Sequence, residues 1–207
     1  MFARSTTVQA HLSCLDAGIA HMREEVMPEL DGIPGCIGLS LLVDRGTGRC
    51  IATSAWETQQ AMRDSATRVY PIRDRAARMF GNSDTEVQEW EIAVLHRDHR
   101  SSQGACVSAT WGRTAPEHLD SATQVYKSAT LPAMEEFDGF CSASLMINRA
   151  TGQGVSCATY DSAEAMEHDR ERATALRWES TRQAGVEVTD IGEFELVIAH
   201  LRVPELV

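Results

Sequence analysis

The chain has 207 residues, 43% hydrophobic and 24% charged, the make-up of an ordinary globular protein with one large or two small domains. Its formal net charge is −11, and both halves are acidic: 11 basic against 14 acidic residues up to Gln103, then 8 against 16. That balance excludes a nucleic-acid partner, because phosphate-backbone binding rests on clustered Lys and Arg.

In chain order, Phe2–Val8 is rich in β-formers and predicts a first strand. Leu12, Leu15, Ile19, Met22, Val26 and Leu30 recur at steps of three and four, the single stripe of an amphipathic helix. Pro28 interrupts that helix, and Gly32, Pro34 and Gly35 end it. Cys36–Asp44 is almost continuously apolar, as in a strand covered on both faces. Arg45-Gly46-Thr47-Gly48 carries turn chemistry, and Arg49–Trp56 is the returning strand. Thr58 is a good N-cap for a helix running to Phe80, which Pro71 should bend. Gly81-Asn82 stops it, and Glu86–Arg97 is the last strand of a β-α-β-β-α-β unit.

The order then repeats at a constant offset of 104: Pro28 matches Pro132, Gly35 matches Gly139, Arg45 matches Arg149 and His96 matches His200. An ungapped register from Pro28 to His96 means an internal duplication. The expected organisation is a first unit over residues 1–98, a polar linker over 99–104, and a second unit over 105–207. Four-stranded sheets with helices on one face need cover on the other. The fold class expected is therefore α+β, two tandem ferredoxin-like units packing sheet to sheet as a pseudo-dimer.

None of the six cysteines, Cys14, Cys36, Cys50, Cys106, Cys141 and Cys157, is paired as CxxC, so free thiols in a reducing compartment are expected and no metal site. No apolar run near the N-terminus has signal-peptide length, and none elsewhere approaches the roughly 18 residues of a membrane span. A cytoplasmic location without membrane partners follows. Nucleotide, serine-hydrolase and zinc-protease signatures (GxGxxG, P-loop, GxSxG, HExxH) are absent from the sequence.

The run PGCIGLSLLVDRGTGRCIATSAWETQQAM resembles the antibiotic-biosynthesis-monooxygenase type of dimeric α/β barrel, through its PG-x-x-G strand entry, its hairpin and its Trp-Glu at the helix start. FDGFCSASLMINRATGQGVSCATYDSAEAM resembles the same unit with Tyr-Asp in that place. The resemblance covers nearly the whole chain. It implies a pocket between sheet and helices for a small apolar or aromatic ligand, with Trp56, Tyr160, Met62, Met166, Trp90 and Phe194 as lining candidates. The activity it implies is cofactor-independent oxygenation of an aromatic, polyketide-like or quinol-like substrate; a non-catalytic ligand-binding or stress-response barrel is the alternative. A third alternative, haem binding or degradation, rests on His168, which stands about where haem-degrading relatives carry their ligand, but inside the charged run EHDRER. Otherwise no cofactor is expected. Barrels of this kind also imply a homodimer of the two-unit chain.

Four residues are candidates for chemistry. His96 and His200 share strand faces with apolar residues and read either as pocket bases or as hydrogen-bonded rim residues. Arg73 and Arg177 read either as clamps for an acidic or phenolate ligand or, with Arg68, Arg78, Arg172 and Arg182, as partners of Glu89, Glu91, Glu193 and Glu195. The Trp56/Tyr160 difference implies that the two pockets are chemically unequal.

Overall fold

A computed structural model describes residues 1–201 and 203–206. The elements of the first repeat are β1 (Phe2–Gln9), α1 (Leu15–His21), α2 (Met27–Asp31), β2 (Cys36–Val43), β3 (Arg49–Trp56), α3 (Gln59–Asp64), α4 (Ala66–Met79) and β4 (Thr85–Arg97). The second has β5 (Cys106–Arg113), α5 (Leu119–Val125), α6 (Leu131–Met134), β6 (Phe140–Asn148), β7 (Gln153–Tyr160), α7 (Ala163–His168), α8 (Arg170–Ala184) and β8 (Glu187–Leu201). The duplicated β-α-β-β-α-β order read from the sequence is the order observed.

Local details refine the sequence reading. The α-helix begins at Leu15 rather than at Leu12: residues Leu12–Cys14 form a 3-10 turn, and Leu12 is exposed rather than part of the apolar stripe. At Pro28 the helix restarts, as a proline there predicts: α2 begins at Met27 with Pro28 in its first turn. A π turn, Met22–Val26, precedes it, and the second copy has the same device, Tyr126–Thr130, before Pro132. A proline removes one amide donor and crowds the carbonyl four residues back, and a widened turn accommodates both. The following long helix is interrupted at Ser65 and runs on through Pro71. Its counterpart breaks at Asp169, although Ala175 stands where Pro71 would be, so the break does not come from proline.

Contacts divide the chain into two compact units, Met1–Trp90 with Glu195–Val203, and Glu91–Phe194 with Pro204–Val207. The division falls inside β4 and inside β8, because each long strand starts in one unit and ends in the other. In the first unit β3 pairs antiparallel with β1 (Phe2↔Trp56 to Gln9↔Arg49) and with β2, and β2 pairs with the C-terminal half of β8 (Leu41↔Ile198). In the second, β7 pairs with β5 and β6, and β6 pairs with the C-terminal half of β4 (Ser144↔Leu95). The first core joins Leu15, Ile19, Met22 and Val26 of the helical layer to Leu39, Leu41 and Val43 of β2 and to Ile72 and Phe80. The second core centres on Tyr126, Leu131, Phe137, Phe140 and Tyr160.

The acidic residues of β4 and β8 find partners other than the helix arginines predicted for them. Glu91 pairs with Arg149 and Glu195 with Arg45, so each hairpin arginine reaches a strand carboxylate at 2.6 Å. Glu89 pairs with Arg4 of β1, and Glu193 pairs with Arg170. Hairpin arginines stand directly beside these strands in the sheet, whereas Arg78, Arg172 and Arg182 find partners on or just before their own helices and Arg68 donates to the Gly32 carbonyl at the end of α2.

The hairpin glycines are required where they dock. Gly152 has φ +72°, and a Cβ there would lie 1.9 Å from the Thr114 carbonyl oxygen. Gly48 repeats this with φ +81° against the Ala10 carbonyl at 2.5 Å. Gly152→Ala therefore forces a left-handed alanine and separates the hairpin from the end of β5. A loss of about 2 kcal/mol or more is expected in chemical denaturation.

Candidate functional site

Each unit encloses a cavity between its sheet and its helices, and the two occupy equivalent positions in the repeat. The cavity of the first unit is about 60 Å³ and that of the second about 130 Å³. The difference traces to side chains that part ways between the copies. Arg4, Val8, Cys50, Val69 and Phe80 line the first cavity; their counterparts in the second are Ser108, Gly112, Gly154, Ala173 and Ala184.

Two of these exchanges do most of the opening. Phe80 is buried over Gly18, so close that a Cβ on Gly18 would meet its ring at 2.3 Å. In the second copy the pair is Ala122 and Ala184, and no ring occupies that space. Arg4 is 5% exposed and donates to the Met62 carbonyl at 2.7 Å and to Glu89 at 3.0 Å. Ser108 leaves that volume vacant and lets another cation in. Arg177 of α8 donates through Nε to Thr110 Oγ1 at 3.0 Å and through Nη2 to Ser108 Oγ at 3.2 Å. Its half-buried guanidinium is thus held by neutral hydroxyls, while Glu193 is taken by Arg170 at 2.6 and 2.9 Å. Burial lowers the Arg177 pKa, with Tyr160 and Glu193 acting in the opposite sense. A guanidinium nevertheless stays charged in a protein.

The remaining lining of the second cavity is apolar wall with scattered hydroxyls. Leu119, Met134, Phe137, Leu145 and Leu176 supply the wall. Tyr160, 1% exposed, has its phenol pushed up to about 12 by burial and by Asp169. Burial likewise raises Tyr126, whose hydroxyl lies 3.4 Å from the Ser144 carbonyl. Both phenols therefore stay protonated and act as hydrogen-bond partners, not as bases. The only ionised groups among the lining residues are two arginines, Arg177 inside and Arg113 at the exposed edge.

The sequence candidates divide between lining and scaffold. Tyr160 and Arg177 line the second cavity, and Arg73 lines the first, with its guanidinium 5.4 Å from the Tyr70 ring centroid. Trp56 and Met62 are completely buried outside the cavity wall, Trp56 donating to Ser54 Oγ at 3.0 Å. Trp90 is buried and donates to Ser5 Oγ at 2.8 Å; Phe194 packs edge-on against Trp111. Met166 packs against the second core behind the wall. His96 stacks on Phe140 and meets Glu135 at 2.8 Å, and His200 lies 3.7 Å from Asp31; neither lines a cavity. His168 is an exposed residue 3.5 Å from Asp138. The exchanges at positions 4/108, 18/122 and 80/184 went unread in the sequence. Their signal was present in the mismatches between the copies, where attention to matched positions alone does not find it.

Among solved structures the chain is similar to an anthrone oxidase-like protein, with TM-score 0.67, 12% identity, and 94% of this chain and 90% of that one covered. It is also similar to a Listeria monocytogenes ferredoxin-fold protein related to antibiotic biosynthesis monooxygenases, with TM-score 0.53, 11% identity and 94% of each chain covered. A heme-degrading enzyme from the same species matches with TM-score 0.53 and 12% identity, over 94% of this chain and 99% of that one. The fold is thus the α+β, tandem ferredoxin-like form of the dimeric α/β barrel. No family model matches the sequence. The chain belongs to the family of two Mycobacterium tuberculosis proteins, the uncharacterised proteins Rv2557 and Rv2558. It is 58% identical to the first over 207 residues, all of this chain and 92% of that one, and 57% identical to the second over 208 residues, all of this chain and 88% of that one. Among the described residues, no helix is long and apolar enough to cross a membrane.

Proposed function

We propose that the cavity of the second unit binds a small aromatic molecule carrying an acidic or phenolic group, and that the protein oxygenates this molecule without a cofactor. The observation that carries this reading is the charge of the lining: in a chain of net charge −11, arginines are the only ionised groups among the described lining residues, set in an apolar wall with scattered hydroxyls. A low-dielectric site with a fixed cation favours the ionised form of a bound phenol or enol. Size supports the same reading. A cavity of about 130 Å³ is close to the ~150 Å³ that takes a benzene ring, whereas about 60 Å³ is not.

In such a reaction Arg177 holds the enolate or phenolate oxygen, and Tyr160 and Tyr126 donate to it or to its neighbours. The carbanion form of the ligand passes electrons to O₂. One oxygen atom enters at the ring methylene as a carbonyl, and the other leaves as water with the two hydrogens of that methylene. The likeness in fold to an anthrone oxidase-like protein makes anthrones and quinols the first ligands to try.

A second reading is favoured by one observation: among the described residues no imidazole or carboxylate lines the cavity, so no such group in the wall takes the ligand's proton. On that reading the same molecules are held and not turned over. Calorimetric binding and oxygen-electrode traces with a panel of anthrones, quinols and hydroxybenzoates separate the two. Uptake of O₂ in step with ligand loss supports oxygenation, and binding without uptake supports the holding protein. Arg177→Gln is expected to weaken binding of the acidic members roughly tenfold, the scale of one lost charge-assisted hydrogen bond. Unchanged affinity in that variant removes the arginine clamp, and no binding across the panel removes the proposal.

A further inference from the structure

A cluster of three potential metal ligands lies outside the cavity, in the second unit. His99 belongs to the segment before β5, Cys141 to the start of β6, and Asp161 follows the end of β7. His99 Nε2 is 2.9 Å from Asp161 Oδ1, and Cys141 Sγ is 3.0 Å from the same oxygen. One nitrogen, one sulfur and one carboxylate oxygen all lie within 4.8 Å of one another. We infer that His99, Cys141 and Asp161 form a binding site for a divalent metal ion of the Zn²⁺ type.

The donor set selects the class of ion. Thiolate with imidazole disfavours Mg²⁺ and Ca²⁺, which take oxygen ligands, and suits a borderline-soft ion with tetrahedral preference. Geometry is close to what such an ion needs. Bonds of about 2.0 Å to nitrogen or oxygen and about 2.3 Å to sulfur put tetrahedral ligand atoms roughly 3.3–3.6 Å apart. The observed 2.9 and 3.0 Å separations therefore need to widen by about half an ångström. Asp161 Oδ1 is common to both separations, and its side chain, 42% exposed, is the ligand placed to give way.

The surroundings are arranged as metal sites usually are. Asp98 Oδ2 lies 2.8 Å from His99 Nδ1, so one ring nitrogen is engaged and the other is turned to the cluster. Metal-binding histidines are oriented by such an outer carboxylate. The histidine segment is itself fastened to Cys141, whose carbonyl accepts from the amides of Asp98 at 2.9 Å and His99 at 3.3 Å. Ser102 Oγ donates to the Asp161 carbonyl at 3.2 Å. Cys141 is buried while Asp161 and His99 are partly exposed, which leaves a solvent side for a fourth ligand such as water. Burial and then Asp161 push the Cys141 thiol up to about 12, and a bound cation supplies the charge that a buried thiolate lacks.

The site belongs to one copy alone. Ile37 and Glu57 stand in place of Cys141 and Asp161 in the first unit, and His99 falls between the repeats. The ion would tie the connecting segment to the ends of β6 and β7, beside Tyr160.

The test uses the full chain, reduced and stripped of metal, titrated with Co²⁺ and then with Zn²⁺. One equivalent of Co²⁺ should give a thiolate-to-metal charge-transfer band in the near ultraviolet, and Zn²⁺ should abolish it. Cys141→Ser should remove the band. His99→Ala, a change on an exposed segment with the fold monitored by circular dichroism, should weaken binding at least tenfold. Asp98→Asn should weaken it by roughly 10- to 100-fold, as expected for an outer-shell partner. Cys157→Ser, away from the cluster, should change nothing. Absence of a stoichiometric band, or a band that survives Cys141→Ser or keeps its affinity in His99→Ala, overturns the site.

Discussion

The double variant Ala122→Gly/Ala184→Phe is expected to lose aromatic-ligand binding completely and to melt at a higher temperature than the parent. The first copy has already carried out this substitution: Phe80 over Gly18 is the packing that the second copy lacks. Placing the ring at 184 fills the larger cavity, and glycine at 122 clears the position that would otherwise collide with it. Filling a cavity of this kind commonly stabilises a protein by about 0.5–2 kcal/mol. The single variant Ala184→Phe, without the glycine, is expected to be destabilised by about 1–3 kcal/mol through overpacking. Thermal melts on the three proteins, beside calorimetry with the ligand panel, read both effects. Ligand affinity retained in a stable double variant would place the binding site elsewhere.

The converse substitution, Phe80→Ala, is expected to lower stability by about 3–5 kcal/mol, the range for removing a buried aromatic ring. Phe80, at the end of α4, is 2% exposed and packs over Gly18 of α1 in the first core, so little around it can collapse into the space. The cavity of the first unit should grow toward the size of the second and gain capacity for an unsubstituted aromatic ring such as benzene. Acidic aromatics should bind there less well, because Arg4 is already committed to Glu89 and the Met62 carbonyl. Urea denaturation gives the stability loss, and a benzene titration reads the new capacity. A loss below about 1 kcal/mol would mean that the site relaxes far more than its packing suggests.

How much of this was legible in the sequence depended on what kind of signal carried it. The duplication and the strand order were legible because they are periodic: an ungapped offset of 104 and alternating apolar runs survive without knowledge of contacts. Strand bounds such as Arg49–Trp56 fell where Gly48 and the Trp-Glu ending placed them. The π turns before Pro28 and Pro132 were not legible, since a widened turn leaves the apolar stripe almost unchanged. Partner choice was also out of reach. Glu91 and Glu195 pair with hairpin arginines through sheet adjacency, and sequence periodicity does not record which strand lies beside which. Of the site, Tyr160 and Arg177 were named, but the openness of their cavity depends on a small residue facing a small residue. The pairs Gly18 with Phe80 and Ala122 with Ala184 reveal their meaning only once they are known to touch.

The division of β8 between the two units has a consequence for how the chain is made. β2 acquires its second neighbour only from residues Glu195–Leu201, with Gly38 set opposite Leu201. The first unit is therefore completed by a strand that is synthesised after β5, β6 and β7. Until it is made, Leu39 and Leu41 lie on a strand with one unpaired edge, the kind of edge that recruits other strands. At translation rates of about 5–20 residues per second, that edge waits on the order of ten seconds or more. Closing a loop of such length also slows folding, since non-local pairing must be reached before it stabilises anything. Nascent chains of this protein should accordingly depend on shielding during synthesis far more than the finished molecule does.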